Sequence, residues 1–163
     1  MTSTADGYTL DDIDRQLLSL LVLDGRRSNK ELAEAAGVAP STALTRVKRL
    51  RSVGAIRGIH ADIDPAWFGS PLQAMVMIHI RAENRATMAS FATAIAAEPQ
   101  VLNVFFVSGA YDYMIHVAAR DSNELRAFIV ETVNAFPDVA ASETYLIFDH
   151  LRGAHSLDAT LPD

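Results

Sequence analysis

The sequence contains no cysteine in 163 residues. That excludes a disulfide framework and a thiolate nucleophile, and it fits a reducing cytoplasm. No apolar run is long enough to span a bilayer, which takes roughly 20 residues as a helix. The opening stretch, MTSTADGYTLDDID, is polar and acidic and lacks the basic start and apolar core of a secretory signal. The expectation is a soluble, cytoplasmic protein. The grammar of catalysis is missing as well: there is no nucleophile elbow, no phosphate loop and no spaced set of metal ligands. Ser, His and Asp occur, but in no arrangement that implies a triad. His79 and His116 could face each other on neighbouring strands, with His150 on the last one. A zinc site, however, wants three or four ligands at defined spacing. The reading is a non-enzyme with no metal and no cofactor.

Positive charge is scarce, with 14 Lys and Arg against 20 Asp and Glu, and it is concentrated. Arg26, Arg27, Lys30, Arg46, Lys48, Arg49, Arg51 and Arg57 lie in one segment opposed only by Glu31 and Glu34, a local charge of +6. The remainder holds six bases and eighteen acids. Such a split suggests a nucleic-acid-binding module attached to a body that does something else.

The stretch from Asp24 to Arg57, which includes that segment from Arg26 onward, reads DGRRSNKELAEAAGVAPSTALTRVKRLRSVGAIR. Before it, Ile13, Leu17, Leu20 and Leu21 recur at helical spacing and predict a helix from about Asp11 to Leu23, with Asp11, Asp12 and Asp14 in the turn where the helix dipole favours negative charge. Gly25 stops it. Ser28 followed by Glu31 is a capping box that opens a second helix through Ala36. Gly37 is its left-handed terminator and Val38 the buried turn residue. Pro40 fits the first position of a third helix, whose buried side is expected to carry Leu44, Val47, Leu50 and Val53. Gly54 ends it. This is a helix-turn-helix.

Ala55 to Asp64 alternates weakly and predicts one or two short strands, and Asp64-Pro65 and Gly69-Ser70-Pro71 mark a turn-rich connection. The period then changes. Leu72 to Ala82 predicts a strand with Ala74, Val76, Ile78 and Ile80 on one face and Met75, Met77 and His79 on the other. A helical stripe of Met88, Phe91, Ala92 and Ile95 follows. Strands are expected at Val101–Val107 and Tyr113–Ala119 around a Ser108-Gly109-Ala110 turn. A second stripe of Leu125, Phe128, Ile129 and Val133 ends at Pro137, and a last strand runs from Glu143 to His150. The order β-α-β-β-α-β is the ferredoxin-like arrangement. The fold class is thus α+β: a helix-turn-helix domain, then a ferredoxin-like βαββαβ domain. The expected layout is a disordered lead-in at 1–9, a DNA-binding domain at 10–54, a hinge strand and linker at 55–71, the second domain at 72–150 and a tail at 151–163. The sheet face without helices would expose Met, Phe and Tyr side chains, which favours a homodimer over a monomer in which other segments cover that face.

A helix-turn-helix lays its second helix in the major groove. On the third helix predicted here, Ser41, Thr45, Lys48 and Arg49 lie opposite the apolar stripe, flanked by Thr42 and Arg46. Hydroxyls serve almost any base, and Arg can grip guanine with two hydrogen bonds. Arg26, Arg27, Lys30, Arg51 and Arg57 suit phosphates, which fix register without reading sequence.

With these motifs in hand, the chain resembles the leucine-responsive/asparagine regulator (Lrp/AsnC, feast/famine) family of prokaryotic transcription factors over about Leu10 to Arg152. LDDIDRQLLSLL, DGRRSNKELAEAAGVAPST, RVKRLRSVGAIRG, VSGAYDYMIHV and SETYLIF carry the resemblance. It implies a winged helix-turn-helix DNA reader joined by a hinge strand to a ferredoxin-like domain that dimerises and assembles further, with small effectors, mostly amino acids, bound between dimers. It also implies that Ser108, Gly109, Ala110, Tyr111 and Asp112 contribute to the effector pocket, and that Thr144, Tyr145 and Leu146 line or couple to it. In that reading backbone N–H groups around Gly109 approach a carboxylate, and Asp112 pairs with an α-ammonium group. The alternative for Asp112 is a plain turn residue. Two departures stand out. Ala110 replaces the acid common after the glycine. Ala39-Pro40 replaces Ser-Pro at the start of the third helix, at a cost of about 1 kcal/mol for the lost hydroxyl cap, unless Ser41 or Thr42 compensates. The functional expectation is a sequence-specific DNA-binding regulator whose assembly or DNA binding responds to a small effector, with double-stranded DNA and further copies of itself as partners and no membrane. A ligand-independent architectural DNA protein is the alternative.

Overall fold

The computed structural model describes Tyr8–Arg81 and Met88–Leu151. The chain divides into two compact units, one through Ala61 and one over Asp62–Leu151.

The first unit holds three helices: α1 (Asp12–Leu23), α2 (Asn29–Ala35) and α3 (Pro40–Ser52). Their boundaries follow from local chemistry. Asp11 and Asp14 form a reciprocal capping box on α1, and Ser28 and Glu31 form the expected one on α2. Gly37 takes a φ of 65°. The Val38 N–H then reaches back to Ala33 O at 3.0 Å and the Gly37 N–H to Glu34 O at 3.3 Å, which closes α2 in a Schellman turn. Leu17, Leu32, Ala33, Ala43 and Leu50 form the core, each worth on the order of 1–3 kcal/mol of burial for the larger side chains.

Three expectations for this unit change. The buried stripe of α3 runs through Ala43, Val47 and Leu50, while Leu44 is 44% exposed. Ala43 and Leu50 sit seven residues apart on one line of the helix, and the small Ala43 lets α3 close onto its neighbours; Leu44 is one residue around, at the rim. The lead-in is not structureless to its end, because Tyr8 packs against the core and its hydroxyl donates to the Asp14 carboxylate. Ala55–Asp64 forms no strand. A strand exists only where a neighbour completes its ladder, and these residues pair with none among the described residues. The segment instead packs Ile56 on the helical core and lays Ile59 against Gly25, where an added Cβ would lie 2.9 Å from Ile59 Cγ2.

The second unit opens with a 3-10 turn, Pro65–Phe68, capped by the Asp64 carboxylate accepting from the Ala66 N–H. Then follow β1 (Leu72–Ile80), α4 (Met88–Ala96), β2 (Val101–Phe106), β3 (Tyr113–Ala119), α5 (Ser122–Ala127) and β4 (Val139–Ile147). The sheet is antiparallel with order β2-β3-β1-β4, the ferredoxin-like topology. Alternation in β1 is as the sequence predicts. Ala74, Val76, Ile78 and Ile80 are buried with Phe91 and Ile95 of α4 and Leu125 of α5, together with Phe128 and Val133. After α5 the chain winds as a π-helical segment, Phe128–Val133. Its wider turn, closed by Asn134 N–H to Ile129 O at 2.8 Å, lets Val133 return to the core five residues after Phe128. The Met88 side chain of the expected stripe lies outside the described residues, as does the tail from 152 onward.

β4 starts four residues before the expected Glu143 and ends before His150. After Val139, its first residues Ala140-Ala141-Ser142 carry little strand propensity. Pairing of Val139 with Ile80 and Ala141 with His79 forms the strand regardless. The open face of the sheet carries Met75, Met77, His79, Phe105, Met114, His116, Glu143, Tyr145 and Ile147, assigned from the register.

Candidate nucleic-acid interface and effector turn

The exposed side of α3 presents Ser41, Thr42, Thr45, Lys48, Arg49 and Arg51. Arg26, Lys30 and Arg57 are exposed in the same unit and Arg27 is half-buried. Lys30 pairs loosely with Glu34 at 3.8 Å across one helical turn, an exposed pair of little energetic weight. Thr45 Oγ1 donates to the Ser41 carbonyl at 2.9 Å, which leaves the hydroxyl oxygen able to accept. Ala39 stands at the N-cap of α3 with no side-chain hydrogen bond.

Arg46 differs from the other cations. Its Nη1 donates to Asp11 Oδ2 at 2.6 Å and to Asp14 Oδ1 at 2.9 Å. Asp14 is buried, and it also accepts from the Tyr8 hydroxyl and, at 3.3 Å, from the Asp11 N–H. Arg46 therefore locks α3 to the start of α1 instead of reaching outward. The Asp14 N–H donates to Asp11, and this bond, followed by Arg46, holds the Asp11 carboxyl below the usual carboxylate range. The phenol of Tyr8 is pushed up, first by its bond to Asp14 and then by burial. Sequence reasoning missed Tyr8, Asp11 and Asp14 as parts of this site. The Asp-x-x-Asp spacing of a capping box was the available signal, but it announces a helix start and not a buried carboxylate.

In the second unit, Ser108, Gly109 and Ala110 are exposed in the turn between β2 and β3, and Gly109 has a φ of 124°. The Val107 N–H closes the turn on Asp112 O at 3.0 Å. Asp112 is half-buried, and its Oδ2 accepts from the Ile80 N–H at 2.8 Å, so the carboxylate already finishes the end of β1. Tyr111 donates to Glu143 Oε2 at 2.9 Å, Tyr145 donates to the same oxygen at 2.8 Å, and the His79 ring lies 4.7 Å from that of Tyr111. These bonds hold Glu143 below its ordinary range, Tyr145 first and Tyr111 second, and the Tyr111 phenol is pushed up by the neighbouring Tyr145 hydroxyl first and by Glu143 second. The turn is thus tied to the open face of the sheet. Thr144 and Leu146 pair with Val76 and Ala74 and so project from the helix-bearing face. A single chain does not bring them to the turn, because side chains alternate across a strand.

The histidines are apart too. His116 is paired with Met75, whereas His79 is paired with Ala141, so both lie on the open face at different levels. His116 Nε2 lies 2.9 Å from Gln73 Oε1 and Nδ1 lies 3.5 Å from Asn103 Nδ2, which matches the neutral tautomer protonated on Nε2. Burial, and then the nearby His150, holds its pKa down.

A helix-turn-helix unit with an exposed basic reading helix, followed by a ferredoxin-like domain with a glycine turn, defines a DNA-binding regulator with a separate ligand-binding domain. Two family models match in that order: the AsnC-type helix-turn-helix domain over residues 10–51 and the Lrp/AsnC ligand binding domain over residues 73–154. The chain is 50% identical over 145 residues to the HTH-type transcriptional regulator AldR of Mycobacterium tuberculosis, covering 89% of this chain and 81% of that protein. It is 31% identical over 151 residues to the leucine-responsive regulatory protein of Escherichia coli K12, covering 93% and 92%. The crystal structure of M. tuberculosis AldR superposes with a TM-score of 0.78 at 46% identity, covering 89% of this chain and 99% of that one. A transcriptional regulator of Neisseria meningitidis solved with L-Met superposes with a TM-score of 0.78 at 28% identity, covering 91% and 96%. The chain belongs to the Lrp/AsnC family of transcriptional regulators. Its relatives are regulators and not enzymes, and no helix among the described residues is long and apolar enough to cross a membrane.

Proposed function

We propose that this protein is a sequence-specific regulator that docks α3 in the major groove of cytoplasmic DNA and answers to an amino-acid effector. The observation that carries the reading is the exposed face of α3, where Ser41, Thr45, Lys48 and Arg49 stand together in a unit whose charge is opposite to that of the rest of the chain. Thr45 and Arg49 read bases; Lys30, Arg51 and Arg57 grip phosphates. The reader spans residues 10–54, the hinge and linker 55–71 and the effector domain 72–150. Homodimers form through the open sheet face, where Phe105 and Tyr145 are half exposed in a single chain, and dimers associate further.

The effector is a free amino acid held at Ser108–Asp112. The glycine turn, the Asp112 carboxylate and the N. meningitidis relative solved with L-Met support this. Thr144 and Leu146 join the pocket from another copy. One observation favours a ligand-independent architectural protein instead: Asp112 already accepts from Ile80, and Ala110 adds no polar group. A thermal-shift screen against all amino acids, followed by footprinting on a selected duplex with and without the best hit, tests the proposal. A ligand-dependent footprint is expected. A footprint indifferent to every amino acid selects the architectural reading.

A further inference from the structure

Arg46 and Arg49 lie three residues apart on α3, and their surroundings treat them oppositely. Arg46 turns its Nη1 donors inward onto Asp11 and Asp14. Arg49 meets instead the face of an aromatic ring, with Cζ 4.2 Å from the centroid of Tyr8. Stacking engages the flat face of a guanidinium and leaves its five edge N–H groups available. A free Arg side chain carries about 2 kcal/mol of rotamer entropy, which is lost when it locks onto a base. A ring that holds the guanidinium beforehand reduces that loss.

Tyr8 is itself held. Its hydroxyl donates to Asp14, whose carboxylate is anchored by Arg46 and by the Asp11 N–H. A chain of contacts therefore runs from the buried carboxylate through the phenol to Arg49. Tyr8 also lies beside the exposed face of α3: with Asp11 it lines a groove of about 440 Å³ that Ser41, Thr45, Arg46 and Arg49 of α3 line as well.

We propose that Tyr8 is a specificity-determining positioning residue of the DNA-reading surface, acting through Arg49. The inference rests on the proposed role of α3 as the reading helix. The residues just before α1 thus belong to the reader, and Tyr8 sharpens the preference at whichever base Arg49 contacts.

The test uses the full chain and a duplex enriched by the wild-type protein from a random-sequence library, compared with single-base variants and a scrambled duplex. Tyr8→Leu keeps apolar packing but removes ring and hydroxyl; Tyr8→Phe removes only the hydroxyl. Tyr8→Leu should lower the preference at one base position about threefold, the size of an exposed cation–π contact, and Tyr8→Phe should keep most of it. Arg49→Ala should relax the same position further, and adding Tyr8→Leu to it should cost nothing more there. A purely structural role would lower the melting temperature and weaken all duplexes alike. The inference is overturned if Leu and Phe variants discriminate equally, or if Tyr8→Leu relaxes a position that Arg49→Ala leaves untouched. If Arg49→Ala alone relaxes a position, α3 remains the reader and only the role of Tyr8 falls. If the wild-type chain enriches no sequence, both fall together.

Discussion

Arg46 Nη1 lies 2.9 Å from the carboxylate of Asp14, a side chain 1% exposed, and thereby joins residues 32 positions apart. A cation on the reading helix is committed to holding that helix in place. Arg46→Ala leaves a buried carboxylate short of a charge-assisted donor, and its removal should cost about 2 kcal/mol of stability. Urea unfolding of the full chain gives the number. An unchanged midpoint would mean that the pair contributes nothing.

The same geometry separates Arg46 from its neighbours in DNA binding. Each phosphate contact contributes a slope of about −0.9 in log K against log salt. Arg51→Ala and Lys30→Ala should each flatten the slope by about 1 unit and weaken all sequences alike. Arg46→Ala should leave it unchanged. Titrations of one duplex across a salt series decide this, and a flattened slope for Arg46→Ala would return it to the phosphate-binding set.

Ala39 occupies the N-cap of α3 with φ −67° and ψ 147°, a conformation that suits a capping hydroxyl, and its methyl side chain caps nothing. Ala39→Ser should raise stability by about 1 kcal/mol. Thermal melting reads the gain. No gain would indicate that another group already satisfies the free N–H groups of the first turn.

The Asp112 carboxylate accepts from the Ile80 N–H, at the end of β1. Asp112→Asn can retain that bond through the amide oxygen while losing the charge. The variant should melt within a few degrees of wild type and lose its response to the best amino-acid hit in calorimetry. Equal ligand affinity would leave Asp112 a turn residue and nothing more.

His116 is held neutral by burial and by His150, so its folded pKa lies below its unfolded value of about 6.5. Its contribution to stability is complete above that value and is lost as pH falls through the folded pKa, because the unfolded chain takes up the proton first. Acidification below about pH 6.5 should destabilise wild type more than His116→Gln. Superimposable melting profiles for the two would exclude this role.

Much of the fold was legible because its cues are local. The Ser28–Glu31 box, Gly37 and Pro40 are chemical stop and start signs within a few residues of each other, and α2 and α3 begin and end where those signs stand. The alternation from Ala74 to Ile80 states which face of β1 is buried. The concentration of eight bases between Arg26 and Arg57 needs no coordinates. Other features depend on partners far along the chain. Ala43 rather than Leu44 faces the core because of how α3 meets its neighbours, and β4 begins at Val139 because Ile80 is there to pair with it. The fates of Arg46 and Arg49 were decided in the same way. By type and spacing they are equivalent cations of a basic helix. Only the tertiary structure brings Asp11 and Asp14 to one and the Tyr8 ring to the other, since charge and stacking act through distance in space and not through separation in sequence.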